Sequence, residues 1–377
     1  MPALHAITMP KWGMTMTEGR LVQWLVEVGA PVTPGQEILE IETDKIANAY
    51  EAPCAGVLRR RLVEPPAMAP VGALLAVLAD AATTEAEIDA FIATQAERAA
   101  VAESAASSAP MPRRLVLAGG AVNMLSVGEP RDAAGAVLLI HGFGGDLGSW
   151  LFNQTALADG RCVHALDLPA HGASDVPQAP PTFESLVATV QATLEALEAP
   201  RVHLVGHSIG GAVAARVAAS SSRVASLTLI GPAGLGPEID MGFIDGLLGA
   251  ERRAQMKPVL ERLLADPTLV RREMIDGVLK ALRADGVPAA LRALAVDCFP
   301  HGRQRLDART DLARLAMPVQ VIWGQADRIL PPAHAAGLSP AIAVHLLAAA
   351  GHMPHMEQAG RVNELLVAHF LTAERSA

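Results

Sequence analysis

Between residues 4 and 79 the apolar side chains come in short runs, broken every few positions by glycine or proline. Leu21-Val22-Gln23-Trp24-Leu25 and Ile38-Leu39-Glu40-Ile41 partly alternate, and turn signals stand at Gly13, Gly19, Gly29, Pro34-Gly35, Pro53 and Gly56. This texture predicts short strands in a small all-β unit, residues 1–80. Asp44-Lys45 falls between the second run and Ala47–Glu51, where a hairpin turn is expected. Residues 81–112 shift to Ala, Ser, Thr and Glu and read as a linker. Ile88, Phe91, Ile92, Ala96 and Ala99 recur at helical spacing behind a capping Thr84, so a docking helix and a solvated Ala-rich tether both fit. Ser104 to Pro112 reads as flexible in either case.

Beyond Arg113 continuous apolar runs alternate with helical stretches: Val137–Ile140, Val163–Leu166, Val202–Val205, Leu227–Ile230, Val319–Trp323 and Val344–Leu347. Runs without polar alternation suit a mostly parallel sheet covered on both faces. Leu186, Val190, Leu194 and Leu197 supply one covering helix with its apolar stripe. From about 237 to 305 the rhythm breaks into Arg-, Leu- and Met-rich helical sequence, the expectation being a helical lid inserted in an α/β domain over 113–377.

Composition narrows the class. At 377 residues, 51% hydrophobic and 18% charged, the chain is globular and long enough for two domains. A net charge of −9 speaks against nucleic acid or an anionic membrane as partner. Cys54, Cys162 and Cys298 show no CxxC pairing, so no disulfide framework and no metal site is expected, and a reducing cytoplasm fits. Met1 to Lys11 lacks the pattern of an export signal, and no run of about 18 apolar residues predicts a membrane span.

Two sets of residues carry chemistry. Gly206-His207-Ser208-Ile209-Gly210 follows an apolar strand and opens a helix, the context of a nucleophile elbow in which small residues permit a strained turn exposing the serine oxygen. His141-Gly142-Phe143-Gly144-Gly145 ends the strand Val137–Ile140, where the backbone N–H of Phe143, with that of Ile209, would form an oxyanion hole; His141 reads as structural. Asp327 leaves one strand within Gly324-Gln325-Ala326-Asp327 and His352 leaves the next within Gly351-His352, giving the order Ser, Asp, His. Asp327 would orient the imidazole and His352 would move the proton. Glu238 and Asp240 are rival acids, disfavoured because Gly231-Pro232-Ala233 occupies the exit of their strand, and His355 is the rival base. Asp167 and His171 are read as holding their loop.

The motifs HGFGG, DLPAHGAS, GHSIGG, GQAD and GHMPHME, spread over residues 135 to 370, resemble the α/β-hydrolase superfamily. Met9-Pro10-Lys11-Trp12-Gly13-Met14, Glu18-Gly19, Gly29, Gly35, Glu42-Thr43-Asp44-Lys45 and Glu51-Ala52-Pro53 resemble the lipoyl domains of 2-oxo-acid and acetoin dehydrogenase complexes. That resemblance implies a lipoyl/biotinyl barrel-sandwich fold with lipoic acid on Lys45; biotinyl domains share the fold but resemble a Met-Lys-Met turn. A lipoyl domain followed by an α/β hydrolase resembles the acetyltransferase components of acetoin dehydrogenase complexes. The resemblance implies transfer of an acetyl group from lipoyl-Lys45 to coenzyme A. It also implies as partners a thiamine-diphosphate acetoin dehydrogenase, a flavin-dependent dihydrolipoamide dehydrogenase and a lipoate ligase or lipoyl transferase. The His-x-x-x-Asp-Gly motif and the peripheral-subunit-binding domain of ordinary lipoyl acyltransferases are not found. A serine hydrolase fused to a lipoyl carrier is the alternative function.

Overall fold

The computed structural model describes residues 4–10, 18–42, 47–108, 110–129 and 135–375. The chain divides into two compact units, Met1–Ala109 and Pro110–Ala377.

The first unit contains β1 (His5–Thr8), β2 (Glu18–Trp24), β3 (Pro31–Val32), β4 (Glu37–Glu42), β5 (Ala47–Glu51), β6 (Gly56–Arg61), β7 (Ala67–Pro70) and β8 (Leu74–Ala79). They form two four-stranded sheets, ordered β1-β8-β6-β3 and β5-β4-β2-β7, with antiparallel neighbours. Along β2 the chain alternates, Gly19 and Leu21 buried, Arg20 and Val22 exposed, so each strand offers one face to a common interior. Ile7, Leu21, Ile38, Ile41, Leu58 and Leu78, drawn from both sheets, are fully buried in that core. Each such side chain contributes about 1.5–3 kcal/mol. Strands β4 and β5 pair with Glu42 opposite Ala47. Lys45 itself lies outside the described residues.

Helix α1 (Glu85–Ser108) follows. It extends about two and a half turns past the apolar spacing that predicts it, which ends at Ala99, and takes in Ser104–Ser108, where flexible chain is expected from the sequence. Alanine-rich sequence has the highest intrinsic helix propensity, so the backbone stays helical without an apolar stripe. Its start is fixed twice. Thr84 and Glu87 form a reciprocal capping box, Glu87 N–H to Thr84 Oγ1 at 3.3 Å and Thr84 N–H to Glu87 Oε2 at 2.8 Å. Arg59, on β6, donates to the carbonyls of Asp80, Ala81 and Thr83 and to Glu85, while Arg60 pairs with Glu85 and Asp89 and Ile88 is buried beneath them.

The second unit is built on an eight-stranded sheet, β9 (Arg113–Leu117), β10 (Gly120–Val127), β11 (Ala136–Ile140), β12 (Val163–Leu166), β13 (Val202–His207), β14 (Val224–Ile230), β15 (Val319–Gly324) and β16 (Ala343–Leu347). Their order is β16-β15-β14-β13-β11-β12-β10-β9, parallel from β12 to β16. The antiparallel β9–β10 hairpin was not read from the sequence, because Arg113, Arg114, Gly120 and Asn123 interrupt any apolar run there. Helices α2 (Gln154–Leu157), α3 (Phe183–Ala196) and α4 (Ile209–Ala218) precede the lid, which holds α5 (Met241–Gly249), α6 (Arg253–Leu260), α7 (Arg272–Leu282) and α8 (Val287–Cys298). After it come α9 (Ala308–Leu312), α10 (Pro354–Glu357) and α11 (Ala359–Arg375).

Leu138 and Ile140 join a core with α3 and α4, whereas Val137 and Leu139 join another with α2 and α11. Both faces of β11 are therefore buried, which is why its sequence shows no alternation. The lid leaves the sheet after β14 and returns at β15, so it stands over the carboxyl ends of the strands, where the motif loops emerge. Among the described residues no helix is long and apolar enough to cross a membrane.

Candidate active site

Ser208 sits between β13 and α4 with φ 54° and ψ −122°, a backbone state that costs of order 1–3 kcal/mol for a residue with a side chain. The neighbours hold it there. Ser208 N–H donates to Ile230 O at 3.0 Å, and its carbonyl accepts from Gly211 at 2.9 Å and Ala233 at 3.0 Å. The flanking glycines are required by contact: a Cβ on Gly206 would stand 2.3 Å from Gly210 O, and one on Gly210 would stand 2.4 Å from His141 O. Ser208 is half-exposed although its flanking residues are buried, so the turn lifts this side chain out of the core.

The loop after β11 passes directly beside it. A Cβ on Gly142 would lie 2.9 Å from Cβ of Ser208. The loop is anchored by His141, whose Nε2 accepts from Leu168 N–H at 3.0 Å; Nδ1 therefore carries the proton and donates to Gly142 O at 2.7 Å. Burial holds His141 below the usual imidazole range, consistent with this neutral form. Among the described residues, the backbone N–H groups of Phe143 and Ile209 have no hydrogen-bond partner. Two unsatisfied donors on the two chains that flank a serine are what an oxyanion requires. Asp167 ties the adjoining loop to Leu147, Ala173 and Asn123, and His171 bonds Pro169 O, so both hold backbone.

Asp327 and His352 meet at the ends of β15 and β16. His352 Nδ1 lies 2.8 Å from Asp327 Oδ2, both side chains being almost fully buried. Oδ2 also accepts from Trp323 Nε1 at 2.9 Å, and Oδ1 accepts from the N–H groups of Ile329 and Leu330 at 2.8 and 3.0 Å. Burial pushes the Asp327 carboxyl up, but the His352 imidazole and these donors outweigh it, and the group titrates below its ordinary value. Close approach makes the junction possible: a Cβ on Gly324 would stand 2.0 Å from Gly351 O. Glu357 secures the His352 loop by accepting from Gly351 N–H at 2.8 Å and Ala265 N–H at 2.7 Å.

The rival residues are engaged elsewhere. Glu238 lies 2.6 Å from His334 Nε2, and Asp240 caps α5 and pairs with Arg262. His355 is fully buried against Trp150 and His207, with ring centroids at 4.6 Å from each, and neither of its nitrogens has a partner among the described residues. Burial, then the neighbouring His352, pushes it down to about 3. Gly231 leaves β14 at φ 46°, and a Cβ there would lie 3.4 Å from both Asp327 Oδ2 and His352 Nδ1, so this turn forms the back wall of the pair. Sequence reasoning missed Trp323 and Glu357, whose partners are Asp327, Gly351 and the lid residue Ala265. Among the described residues no group of His, Cys, Asp or Glu is placed to hold a metal ion.

Comparison with known proteins agrees with this architecture. Residues 135–359 match the alpha/beta hydrolase fold family, and residues 5–78 match the Biotin_lipoyl family of biotin-requiring enzymes. Over 98% of its length the chain is 43% identical to the dihydrolipoyllysine-residue acetyltransferase component of the acetoin cleaving system of Pseudomonas putida, covering 99% of that protein. The same component from Cupriavidus necator is 42% identical, with 98% of each chain covered. Among solved structures, a meta-cleavage product hydrolase from Pseudomonas fluorescens superposes with a TM-score of 0.62 at 27% identity, covering 69% of this chain and 98% of that one. With a hydrolase-fold unit behind a lipoyl-type domain and end-to-end similarity to two such components, the chain belongs to the family of dihydrolipoyllysine-residue acetyltransferase components of acetoin cleaving systems.

Proposed function

We propose that this chain passes an acetyl group from lipoic acid on Lys45 to coenzyme A by way of an acyl-Ser208, with His352 as the proton carrier and Asp327 as its partner. The observation that carries the reading is the 2.8 Å Asp327–His352 bond in the same unit as a strained, half-exposed serine. Lipoic acid, in amide linkage to Lys45, supplies the acetyl group as a thioester; Lys45 falls between the paired ends of β4 and β5, Glu42 and Ala47.

Ser208 Oγ attacks the thioester carbonyl while His352 takes the hydroxyl proton, and the N–H groups of Phe143 and Ile209 hold the oxygen as it becomes negative. His352 then gives that proton to the departing thiolate, leaving acetyl-Ser208 and a free dithiol arm. In the second half His352 takes the proton of the coenzyme A thiol. The sulfur attacks the acyl-serine, and the proton returns to Ser208 Oγ as acetyl-coenzyme A leaves. Asp327, kept ionised by its donors, stabilises the imidazolium in both halves.

The chain would work between a thiamine-diphosphate acetoin dehydrogenase that loads the arm and a dihydrolipoamide dehydrogenase that reoxidises it, after a lipoate ligase or lipoyl transferase has modified Lys45. The three cysteines are free thiols, in keeping with a cytoplasmic setting. Intact mass measured on wild type and Lys45→Ala tests the carrier half: a lipoyl increment is expected in wild type alone. Ser208→Ala tests the chemistry. A loss of about 10³-fold or more in acetyl transfer supports the reading, and near-normal transfer overturns the acyl-serine.

A second reading has its own support, since the 2-hydroxy-6-oxo-2,4-heptadienoate hydrolase of Pseudomonas putida is 32% identical over 69% of this chain and 96% of its own length. There water would release the acyl group. Acetyl-coenzyme A measured against free acetate, from acetylated carrier, separates the two.

A further inference from the structure

Helices α5 and α8 of the lid enclose a groove of about 370 Å³. Met241, Ile244 and Leu248 line one side with Asp245, and Ala295, Val296 and Phe299 the other with Arg292, so the walls are mainly apolar and the two charges offset each other. The groove shares its walls with the oxyanion loop. Phe299 packs edge-on against Phe143, ring centroids 6.2 Å apart, and Leu247, next to Leu248, leaves only 2.4 Å to a Cβ built on Gly144.

The end of α5 leads to a group of cations. Arg292 donates to Leu248 O at 3.1 Å, and Arg283 donates to Glu251 O at 2.9 Å, two residues beyond the helix. Arg253 grips Asp276, with Nη2 to Oδ2 at 2.8 Å, Arg272 approaches the same carboxylate at 3.9 Å, and the charge of Arg283 also acts on it. One carboxylate thus serves three exposed guanidinium groups, with Arg252 and Lys280 exposed on the same segments; Glu251, Glu273 and Asp285 are the other acids there, so the cations outnumber them by a small margin. This excess of positive charge stands on a chain of net charge −9. Clustered arginines beside a mainly apolar groove match a ligand with a thin, weakly polar arm and several phosphate charges at one end.

We propose that the α5–α8 groove holds the pantetheine arm of coenzyme A, while Arg253, Arg272 and Arg283 bind its phosphates. The arm then reaches the serine past Phe299 and Phe143. The orientation rests on the acyl-transfer reading above; the binding does not.

The test uses the full chain, acetyl-dihydrolipoamide in free solution as donor, and coenzyme A or pantetheine as acceptor. In the variant carrying Arg253→Gln, Arg272→Gln and Arg283→Gln, the ratio of KM for coenzyme A to KM for pantetheine is expected to rise roughly tenfold or more. Higher salt should raise KM for coenzyme A in wild type and do so less in the variant. Val296→Trp, at an exposed position, fills the groove and should raise KM for both acceptors. An unchanged ratio in the arginine variant, or an unaltered KM for both acceptors in Val296→Trp, overturns the proposal. So does an arginine variant that is slowed only when acetyl is carried on the chain itself, which would assign the cluster to the carrier. Calorimetric titration of coenzyme A into Ser208→Ala, with and without the arginine changes, reads binding without turnover. Loss of binding with the arginines supports the site even where the acyl-serine fails, and undiminished binding sinks the site even where the acyl-serine holds.

Discussion

Trp323 and His352 converge on a single oxygen, Oδ2 of Asp327, the indole N–H at 2.9 Å and the imidazole Nδ1 at 2.8 Å. The other oxygen takes two backbone N–H groups, so the carboxylate is held from four directions with no freedom to turn away from the histidine. Trp323→Phe keeps an aromatic ring but removes one donor and part of a fully buried indole. A buried acceptor that loses a partner costs about 1–3 kcal/mol. Thermal unfolding at pH 7 should show that loss, and kcat for acetyl transfer should fall several-fold while KM for coenzyme A holds.

Asp327→Asn should be far more damaging. An amide in place of the carboxylate can present its NH₂ to His352 and impose the wrong tautomer. A fall of about 10³–10⁴-fold in kcat at neutral pH is expected, and because the NH₂ would also face the Trp323 indole N–H donor to donor, a stability loss of about 1–3 kcal/mol should accompany it. Turnover and thermal unfolding of the same preparation check both halves of the statement.

Burial holds His171 and His355 at about 3 in the folded state, against an unfolded value near 6.5. The unfolded chain therefore binds protons that the folded chain refuses, and stability falls as pH drops below about 6.5 towards the folded values. For one such histidine the loss between pH 7 and pH 5 is roughly 2 kcal/mol. His355→Phe, which also removes two buried nitrogens without partners among the described residues, should stabilise the protein and flatten this slope. Equal slopes in the two proteins over pH 5 to 7 would sink the account.

Gly206→Ala should unfold the elbow, not tune it. Its Cβ would stand 2.3 Å from Gly210 O and 2.7 Å from Cα of Gly211, both backbone atoms that cannot give way. A loss of at least about 2–3 kcal/mol in denaturant unfolding is expected, together with loss of transfer.

Arg59→Ala should loosen the start of α1. It removes donors to the carbonyls of Asp80, Ala81 and Thr83 and to Glu85 at the first turn. Hydrogen exchange in the full chain should quicken across residues 81–89 and leave the β11–β15 sheet as protected as before.

What the sequence determined by itself was set by local sterics and periodicity. Gly206 and Gly210 around Ser208, and Gly142 beside it, are demanded by atoms a few ångströms away, and such demands leave a mark at fixed spacing. Apolar runs buried on both faces, as in β11 and β13, likewise announced a covered sheet. Tertiary structure decided what depends on side chains meeting across the chain. His352 and His355 are three residues apart in one motif, yet one faces Asp327 and the other is sealed behind the sheet against Trp150. Trp323 closes an apolar run in the sequence, yet its indole N–H meets a carboxylate, and Glu357, two residues past His355 in the same motif, meets Gly351 and Ala265. A hydrogen bond joins two atoms wherever the fold places them, whereas a turn constrains the residues that make it; only the second is written in the order of the letters.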